Sequence, residues 1–197
     1  YVGGGTPSVL PLPVVARLVS ALGCGPFDEF TMEVNPEDII EKGRQYVEGL
    51  LALGVNRISM GVQSLDDGIL RWMRRRHGAA QARDAFRILR EAGVGNISVD
   101  IIFGFQSLTE GILSDTLEEV ISLGPEHISA YQLSIEDGSA LAELAACGKF
   151  SEASDSLCAE QYAEICRRLS AAGYEHYEIS NWALPGRRAI HNSAYWA

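Results

Sequence analysis

Three polar residues on segments that otherwise alternate apolar and polar carry most of the chemical promise of this 197-residue chain: Glu33, Gln63 and Asp100. Each sits on the polar side of its alternation, at or toward the C-terminal half of the segment. In a parallel barrel that is where ligand-contacting side chains stand. A buried carboxylate without a partner is costly, so the two acids need either basic neighbours or a hydrogen-bonding ligand. Ribose hydroxyls and an amino-acid ammonium would both serve. Hydrogen bonding among the three residues, with no ligand, is the competing reading.

A glycine turn stands at the head of the chain. Gly3-Gly4-Gly5-Thr6-Pro7-Ser8 follows a strand stub, Tyr1-Val2, and precedes a helical pattern. Glycines let the backbone come close to a ligand, where exposed N–H and C=O groups can hold a charged or zwitterionic one. Thr6 adds a hydroxyl, and Ser8 can begin the helical turn. A tight turn without a ligand competes with this, and no Gly-Lys-Ser/Thr follows to make a P-loop. Arg71, Arg74, Arg75, Arg76 and His77 form a basic cluster after a helix opened by Ser64, with Asp67 as its capping-box partner. Such a run is usually a solvated face, and helical spacing stops the arginines from all pointing one way. Near the end, His191-Asn192-Ser193-Ala194-Tyr195-Trp196 offers an imidazole able to ligate heme iron, with Tyr195 and Trp196 able to flank a porphyrin. A packed or solvated histidine competes with that.

These groups need a frame. Residues 30–34, 57–63, 97–103 and 128–133 alternate with period two and read as strands. Between them lie helical patterns: Val14, Val15, Leu18 and Leu22 before Gly23; Val47, Leu50 and Leu51 before Gly54; Ala82, Ala85, Phe86 and Leu89 before Gly93; Leu113, Leu117, Val120 and Ile121 before Gly124. A final helix over 154–172 leads to a strand-like stretch at 174–182. Strands separated by helices need crossover connections, so the expected class is α/β with a parallel sheet. Strands covered by helices on both sides should be apolar on both. Here one face is apolar while the other collects Thr31, Glu33, Arg57, Ser59, Gln63, Ser98 and Asp100, which favours a barrel wall around a polar ligand over an open doubly wound sheet. Residues 1–140 read as barrel core and 141–197 as an extension leading toward a further domain. The Tyr at position one and the abrupt Trp196-Ala197 end read as cuts at both ends of a longer protein.

Composition narrows the function classes. An apolar fraction of 47% supports a sizeable core. The formal charge of −10 argues against a nucleic-acid partner, which wants a basic face. No apolar run approaches the roughly 20 residues that span a bilayer, so membrane association is not indicated and a cytoplasmic setting is expected. Cys24, Cys147, Cys158 and Cys166 have no short metal-ligand spacing; Cys158 and Cys166 fall on the apolar stripe of a helix with Tyr162, Ile165 and Leu169 and read as thiols in a reducing compartment. There is no nucleophile elbow, no His-Glu-x-x-His and no Cys-x-x-Cys.

Taken in order, the motifs resemble one family. Tyr1-Val2-Gly3-Gly4-Gly5-Thr6-Pro7-Ser8, Glu33-Val34-Asn35-Pro36, Asn56-Arg57-Ile58-Ser59-Met60-Gly61-Val62-Gln63-Ser64 and Ser98-Val99-Asp100-Ile101-Ile102-Phe103-Gly104 are similar to the signature of the oxygen-independent coproporphyrinogen III oxidase-like radical S-adenosylmethionine (SAM) family. His127-Ile128-Ser129-Ala130-Tyr131-Gln132-Leu133 and Tyr177-Glu178-Ile179-Ser180-Asn181-Trp182-Ala183 continue it through nearly the whole chain. The resemblance implies a partial (β/α)6 TIM-like barrel holding a [4Fe–4S] cluster and SAM, in which the cluster reduces the sulfonium to methionine and a 5′-deoxyadenosyl radical. It implies that Gly4, Gly5 and Thr6 hold SAM through the glycine loop, and that Glu33, Gln63, Arg75 and Asp100 line the same site. Gly61-Val62-Gln63-Ser64-Leu65-Asp66-Asp67 and the terminal His-Asn-x-x-Tyr-Trp motif resemble the heme-chaperone branch. There His191 would be the heme ligand, with a tetrapyrrole as ligand and a heme-receiving protein as partner. The alternative branch is the oxidase, which decarboxylates coproporphyrinogen III. A phosphate-binding aldolase-like barrel, outside the family, would need a late-strand phosphate loop that is not seen. Three departures stand out. Phe105-Gln106 replaces a Leu-Pro, Arg74 replaces the glycine of a Leu-Gly-Arg-x-His segment, and the Cys-x-x-x-Cys-x-x-Cys cluster motif, which lies upstream of the glycine loop in the family, is absent. The chain as it stands is therefore expected to bind no cluster and perform no radical chemistry.

Overall fold

The computed structural model describes residues 1–23 and 25–194. Cys24, Tyr195 and Trp196 lie outside them. After a 3₁₀ turn at Pro7–Val9, helices and strands alternate: α1 Leu12–Leu22, β1 Thr31–Val34, α2 Pro36–Ala52, β2 Arg57–Gln63, α3 Asp67–Trp72, α4 Ala79–Glu91 and β3 Ile97–Phe103. There follow α5 Glu110–Leu123, β4 His127–Gln132, α6 Ala140–Ala146, α7 Asp155–Ala171, β5 Glu175–Glu178, β6 Asn181–Ala183 and α8 Ile190–Ser193. One sheet runs β1-β2-β3-β4-β6-β5. Its first four strands are parallel, and Val2 extends it beyond β1 by a parallel bridge to Met32.

The alternation sorts the faces as its period requires. Met32, Val34, Ile58, Met60, Val62, Ile97, Val99, Ile101 and Phe103 are all buried, in one core with Val47 and Leu50 of α2, Phe86 and Leu89 of α4, Leu117 and Val120 of α5, and Ile165 and Leu169 of α7. The long helices share that apolar face, the arrangement of a barrel wall. Register then sets the opposite residues into rows. Glu33 pairs with Ser59, Ser59 with Ser98 and Ser98 with His127; above them Gly61 pairs with Asp100 and Asp100 with Ser129.

Two readings gain detail and one is corrected. The strand-like stretch 174–182 is a hairpin in which β6 runs antiparallel to both β4 and β5. Only two residues separate β5 from β6, too few for a crossover. In α1 the stripe Val14, Leu18, Leu22 faces outward, all three exposed, while Val15 alone of its pattern is buried. Periodicity marks an apolar face without saying what covers it. Finally, α3 is opened by Asp66, whose carboxylate accepts from the Ile69 N–H at 2.8 Å, while Ser64 only supports Asp66. Asp67 caps the next helix instead, accepting from the Ala79 N–H at 2.8 Å.

Two polar contacts fasten the ends of the wall. Gln161 of α7 is buried and accepts from the Gly104 N–H at 2.7 Å while donating to the Leu108 carbonyl at 2.8 Å, pinning the loop after β3. Glu29, just before β1, accepts the N–H groups of Ile190 at 2.8 Å and His191 at 3.2 Å, so α8 docks back on the start of the sheet. Replacing Gln161 by Leu leaves the Gly104 N–H and the Leu108 carbonyl without partners in the interior. Urea unfolding should show Gln161→Leu less stable by on the order of 2 kcal/mol.

Candidate functional site

The glycine loop leaves its strand directly over Glu33. Val2 donates to the Thr31 carbonyl at 2.8 Å and the Glu33 N–H returns to the Val2 carbonyl at 3.0 Å. The backbone then turns through left-handed conformations at Gly4 (φ 81°) and Gly5 (φ 64°), where a side chain would be strained. Gly3 serves a different need: a Cβ there would stand 2.7 Å from Glu33 Oε1. This close approach lets the Gly4 N–H donate to Glu33 Oε2 at 3.1 Å, while the Tyr1 hydroxyl donates to Oε1 at 2.6 Å. Burial, with the Glu33 carboxylate beside it, pushes the Tyr1 phenol well above its ordinary value, so Tyr1 remains a donor. Ser8 sits in the 3₁₀ turn rather than opening α1. Buried, it donates to Asp38 and accepts from the Asn35 N–H at 3.1 Å, tying the loop to the start of α2.

Asp100 faces the same interior from β3. The Ser59 hydroxyl donates to it at 3.0 Å and the Ser98 hydroxyl at 3.3 Å. Burial raises its carboxyl above the usual carboxylate range, against the opposing hydrogen bonds of Ser129 and Ser59 and the attraction of Arg57. Arg57 is only 2% exposed; its Nη1 donates to the Thr31 hydroxyl at 3.4 Å, and its Nε has no partner among the described residues. His127 stands nearby with Nδ1 at 2.8 Å from the Ser98 hydroxyl and Nε2 at 2.7 Å from Tyr177. Burial, then Arg57, push its imidazole well below the ordinary value, so it is neutral.

At the end of β2 the register slips between Gly61 and Gln63, and Gln63 takes φ 70°. Such a conformation costs a non-glycine residue on the order of 1 kcal/mol and turns its side chain across the strand ends. A Cβ on Gly61 would meet the Gln63 amide at 2.9 Å, so the glycine leaves that amide room. The basic cluster divides. His77 is buried, with Nε2 at 3.1 Å from the Val62 carbonyl and Nδ1 at 3.0 Å from Glu37; Arg76 donates to the same Glu37 at 3.0 Å. Those contacts fix the turn so that Arg75, not its neighbours, lines the strand ends. Burial lowers the Arg75 pKa, and Glu37 opposes that.

The result is a hollow of about 220 Å³ at the C-terminal ends of the parallel strands, lined by Gly5, Thr6, Glu33, Gln63, Arg75 and Asp100 together with Asn35, Ser59 and Gly61. Gly4 adjoins it through Glu33. The lining holds two carboxylates, one guanidinium, two amides, hydroxyls and backbone N–H groups. That set suits a small zwitterion carrying hydroxyls, such as an aminoacyl nucleoside. Tyr1 was missed by the sequence reading, which set Ser59 and Asn35 on the polar faces with Glu33 and Gln63 without naming them as site residues. His191 does not line the hollow. Its ring stacks on that of Tyr1, centroids 4.1 Å apart, one aromatic ring removed from Glu33. The described cysteines, Cys147, Cys158 and Cys166, are free and lie at the end of α6 and on α7; none lines the hollow. Among the described residues no cluster of three metal-ligating side chains occurs, and no helix is long and apolar enough to cross a membrane.

Comparison with known proteins follows this geometry. A sequence profile described as "Radical SAM superfamily" matches residues 1–120. The chain is 34% identical to "Heme chaperone HemW" of Lactococcus lactis subsp. lactis and 33% identical to the protein of the same name in Mycobacterium tuberculosis. It is 34% identical to "Radical S-adenosyl methionine domain-containing protein 1, mitochondrial" of Danio rerio. All of this chain aligns, with 52%, 50% and 44% of those proteins respectively, so it spans about half the length of the curated relatives it matches. Among solved structures, coproporphyrinogen III oxidase (HemN) from Escherichia coli superposes with a TM-score of 0.78 at 26% identity, over 93% of this chain and 42% of that one. An archaeal Elp3 from Methanocaldococcus infernus superposes with a TM-score of 0.67 over 87% of this chain and 43% of that one; at 19% identity it attests the fold alone.

The raised Asp100 pKa has a signed consequence. A carboxyl whose folded pKa lies above its unfolded value binds a proton more tightly when folded, so its contribution to stability is present in acid and is lost as pH rises through the folded value. Asp100→Asn removes that loss. Denaturant unfolding across pH should show Asp100→Asn gaining on the wild type as pH rises from the ordinary carboxylate range, with the smallest difference in acid. A difference independent of pH would show that Asp100 ionises without burial cost.

Proposed function

We propose that this chain, which belongs to the radical SAM superfamily and within it to the group shared by heme chaperones and oxygen-independent coproporphyrinogen oxidases, is the SAM-binding part of a heme chaperone. The observation that carries the SAM assignment is the convergence of Glu33, Gln63, Arg75 and Asp100 on one hollow beside the Gly4-Gly5-Thr6 turn. The donor set fits the group. Glu33 supplies the anion that an aminoacyl ammonium requires, and Arg75 with the loop N–H groups answers its carboxylate. Asp100 and Gln63 supply acceptors for ribose hydroxyls. Tyr1 and Gly4 hold Glu33 in place before any ligand arrives, and Ser59 and Ser98 do the same for Asp100. When bound, SAM supplies a sulfonium that a reduced iron–sulfur cluster can cleave. The described cysteines lie away from the hollow and do not fit such a cluster, and no reductive step is assigned to the residues of this chain.

The chaperone reading rests on the curated relatives. Identity of 33–34% over the whole chain is to proteins named heme chaperones, and heme, or another tetrapyrrole, is the ligand this implies. His191 is the proposed heme ligand, a heme-receiving protein the proposed partner and a reducing, cytoplasmic compartment the proposed setting. The oxidase is the second reading, favoured by the superposition on the Escherichia coli oxidase.

Full-length protein reconstituted with iron and sulfide tests both. Calorimetry should show SAM binding that Glu33→Gln weakens at least tenfold, the loss of one charge-assisted contact of about 1.4 kcal/mol. Hemin should bind, and His191→Ala should change its Soret and ligand-field bands; an unchanged spectrum would remove His191 as ligand. Anaerobic incubation with coproporphyrinogen III should give no decarboxylated product, and turnover would establish the oxidase instead.

A further inference from the structure

A second cleft, of about 460 Å³, opens beside the hollow and shares Arg75 with it. Its walls are of two kinds. Trp72, Phe150 and Leu133 are apolar; Arg74, Arg75 and Lys149 are cationic. Trp72 stacks on the buried Phe105 at 4.9 Å, lies 6.0 Å from Phe150, and is 39% exposed. A large indole is thus braced from behind with part of its surface left to solvent, the mark of an interaction site rather than of core.

None of the three cations forms an ion pair among the described residues, and no acidic side chain lines the cleft, although the chain carries 26 acidic side chains against 16 basic ones. In so acidic a protein, three unpaired cations around one apolar cleft leave room for an external anion. Arg74 adds a second, independent sign. It follows the last turn of α3 in left-handed backbone, φ 55°, the position where helices usually place glycine. Gln63 and Arg74 are the non-glycine residues with positive φ among those described, and they line the two cavities. An arginine held where glycine would be free of strain indicates that its side chain is used.

We propose that this cleft seats a flat, apolar macrocycle bearing peripheral carboxylates. The ring lies against Trp72 and Phe150, and the carboxylates are held by Arg74 and Lys149, with Arg75 between this seat and the hollow. The proposal rests on the tetrapyrrole reading above and gives it a location that competes with His191, which lines neither cavity. Its chemistry is that of charge-assisted hydrogen bonds at the rim of an aromatic platform.

The test uses the full-length protein, with hemin and hemin dimethyl ester as probes titrated by Soret absorbance. Arg74→Gly removes the cation while relieving the backbone, so it should raise the melting temperature slightly. Together with Lys149→Glu it should weaken hemin binding at least tenfold. The dimethyl ester, lacking carboxylates, should bind the wild type more weakly than hemin does and be indifferent to both substitutions. Hemin binding left intact in the folded double variant would overturn the seat while leaving the chaperone reading in place. No hemin binding by the wild type would overturn both.

Discussion

A carboxylate on the inner face of a sheet must be hydrogen-bonded or give up its charge, and the arrangement of this wall follows from meeting that condition twice. Glu33 is met by the Tyr1 hydroxyl and the Gly4 N–H, Asp100 by the hydroxyls of Ser59 and Ser98. Ser59 comes from the adjacent strand and Ser98 from two residues back on β3, while Tyr1 and Gly4 flank the Val2 bridge to β1, so the same backbone hydrogen bonds that build the sheet also set the polar interior. A one-residue slip would turn every one of these groups outward. Sealing the opposite face under α2, α4, α5 and α7 removes that freedom.

Above this frame the chain accepts local strain where it needs side chains in particular places. Gln63 and Arg74 both occupy left-handed backbone, one at the end of β2 and the other at the end of α3. Between them His77 and Arg76 share Glu37, and His77 also meets the Val62 carbonyl, so the turn from α3 to α4 is tied to the strand whose end it crosses. That tie selects Arg75 for the hollow and leaves Arg74 for the neighbouring cleft. Where the Leu-Gly-Arg-x-His pattern has its glycine, this chain holds a strained arginine beside that cleft.

The interior also shows how an acidic chain keeps an inner cation. Arg57 lies below Asp100 on the polar face with no direct carboxylate partner; burial, aided by its field, keeps His127 neutral, and the same field opposes the upward push of burial on Asp100. Tyr177, bonded to His127 and to the backbone before α8, closes this lower end. The glycine turn, Glu33, Gln63 and Asp100 could be placed together from sequence because strand period and strand direction are local properties of the chain. The partners Tyr1 and Tyr177 could not, since their hydroxyls reach residues 32 and 50 positions away.

Sequence alone determined the class of the fold, the four parallel strands, the face on which each polar residue stands and the family to which the ordered motifs belong, because all of these repeat with the backbone's own period or occur as contiguous words. Tertiary structure alone decided that 174–182 is a hairpin, that α1 turns its apolar stripe outward, that Asp66 rather than Ser64 opens α3, which contacts turn Arg75, already marked by the motif resemblance, toward the hollow, and that His191 rests on Tyr1. Each of these depends on what packs against a segment from far along the chain, and no local pattern of residues encodes the identity of a distant neighbour.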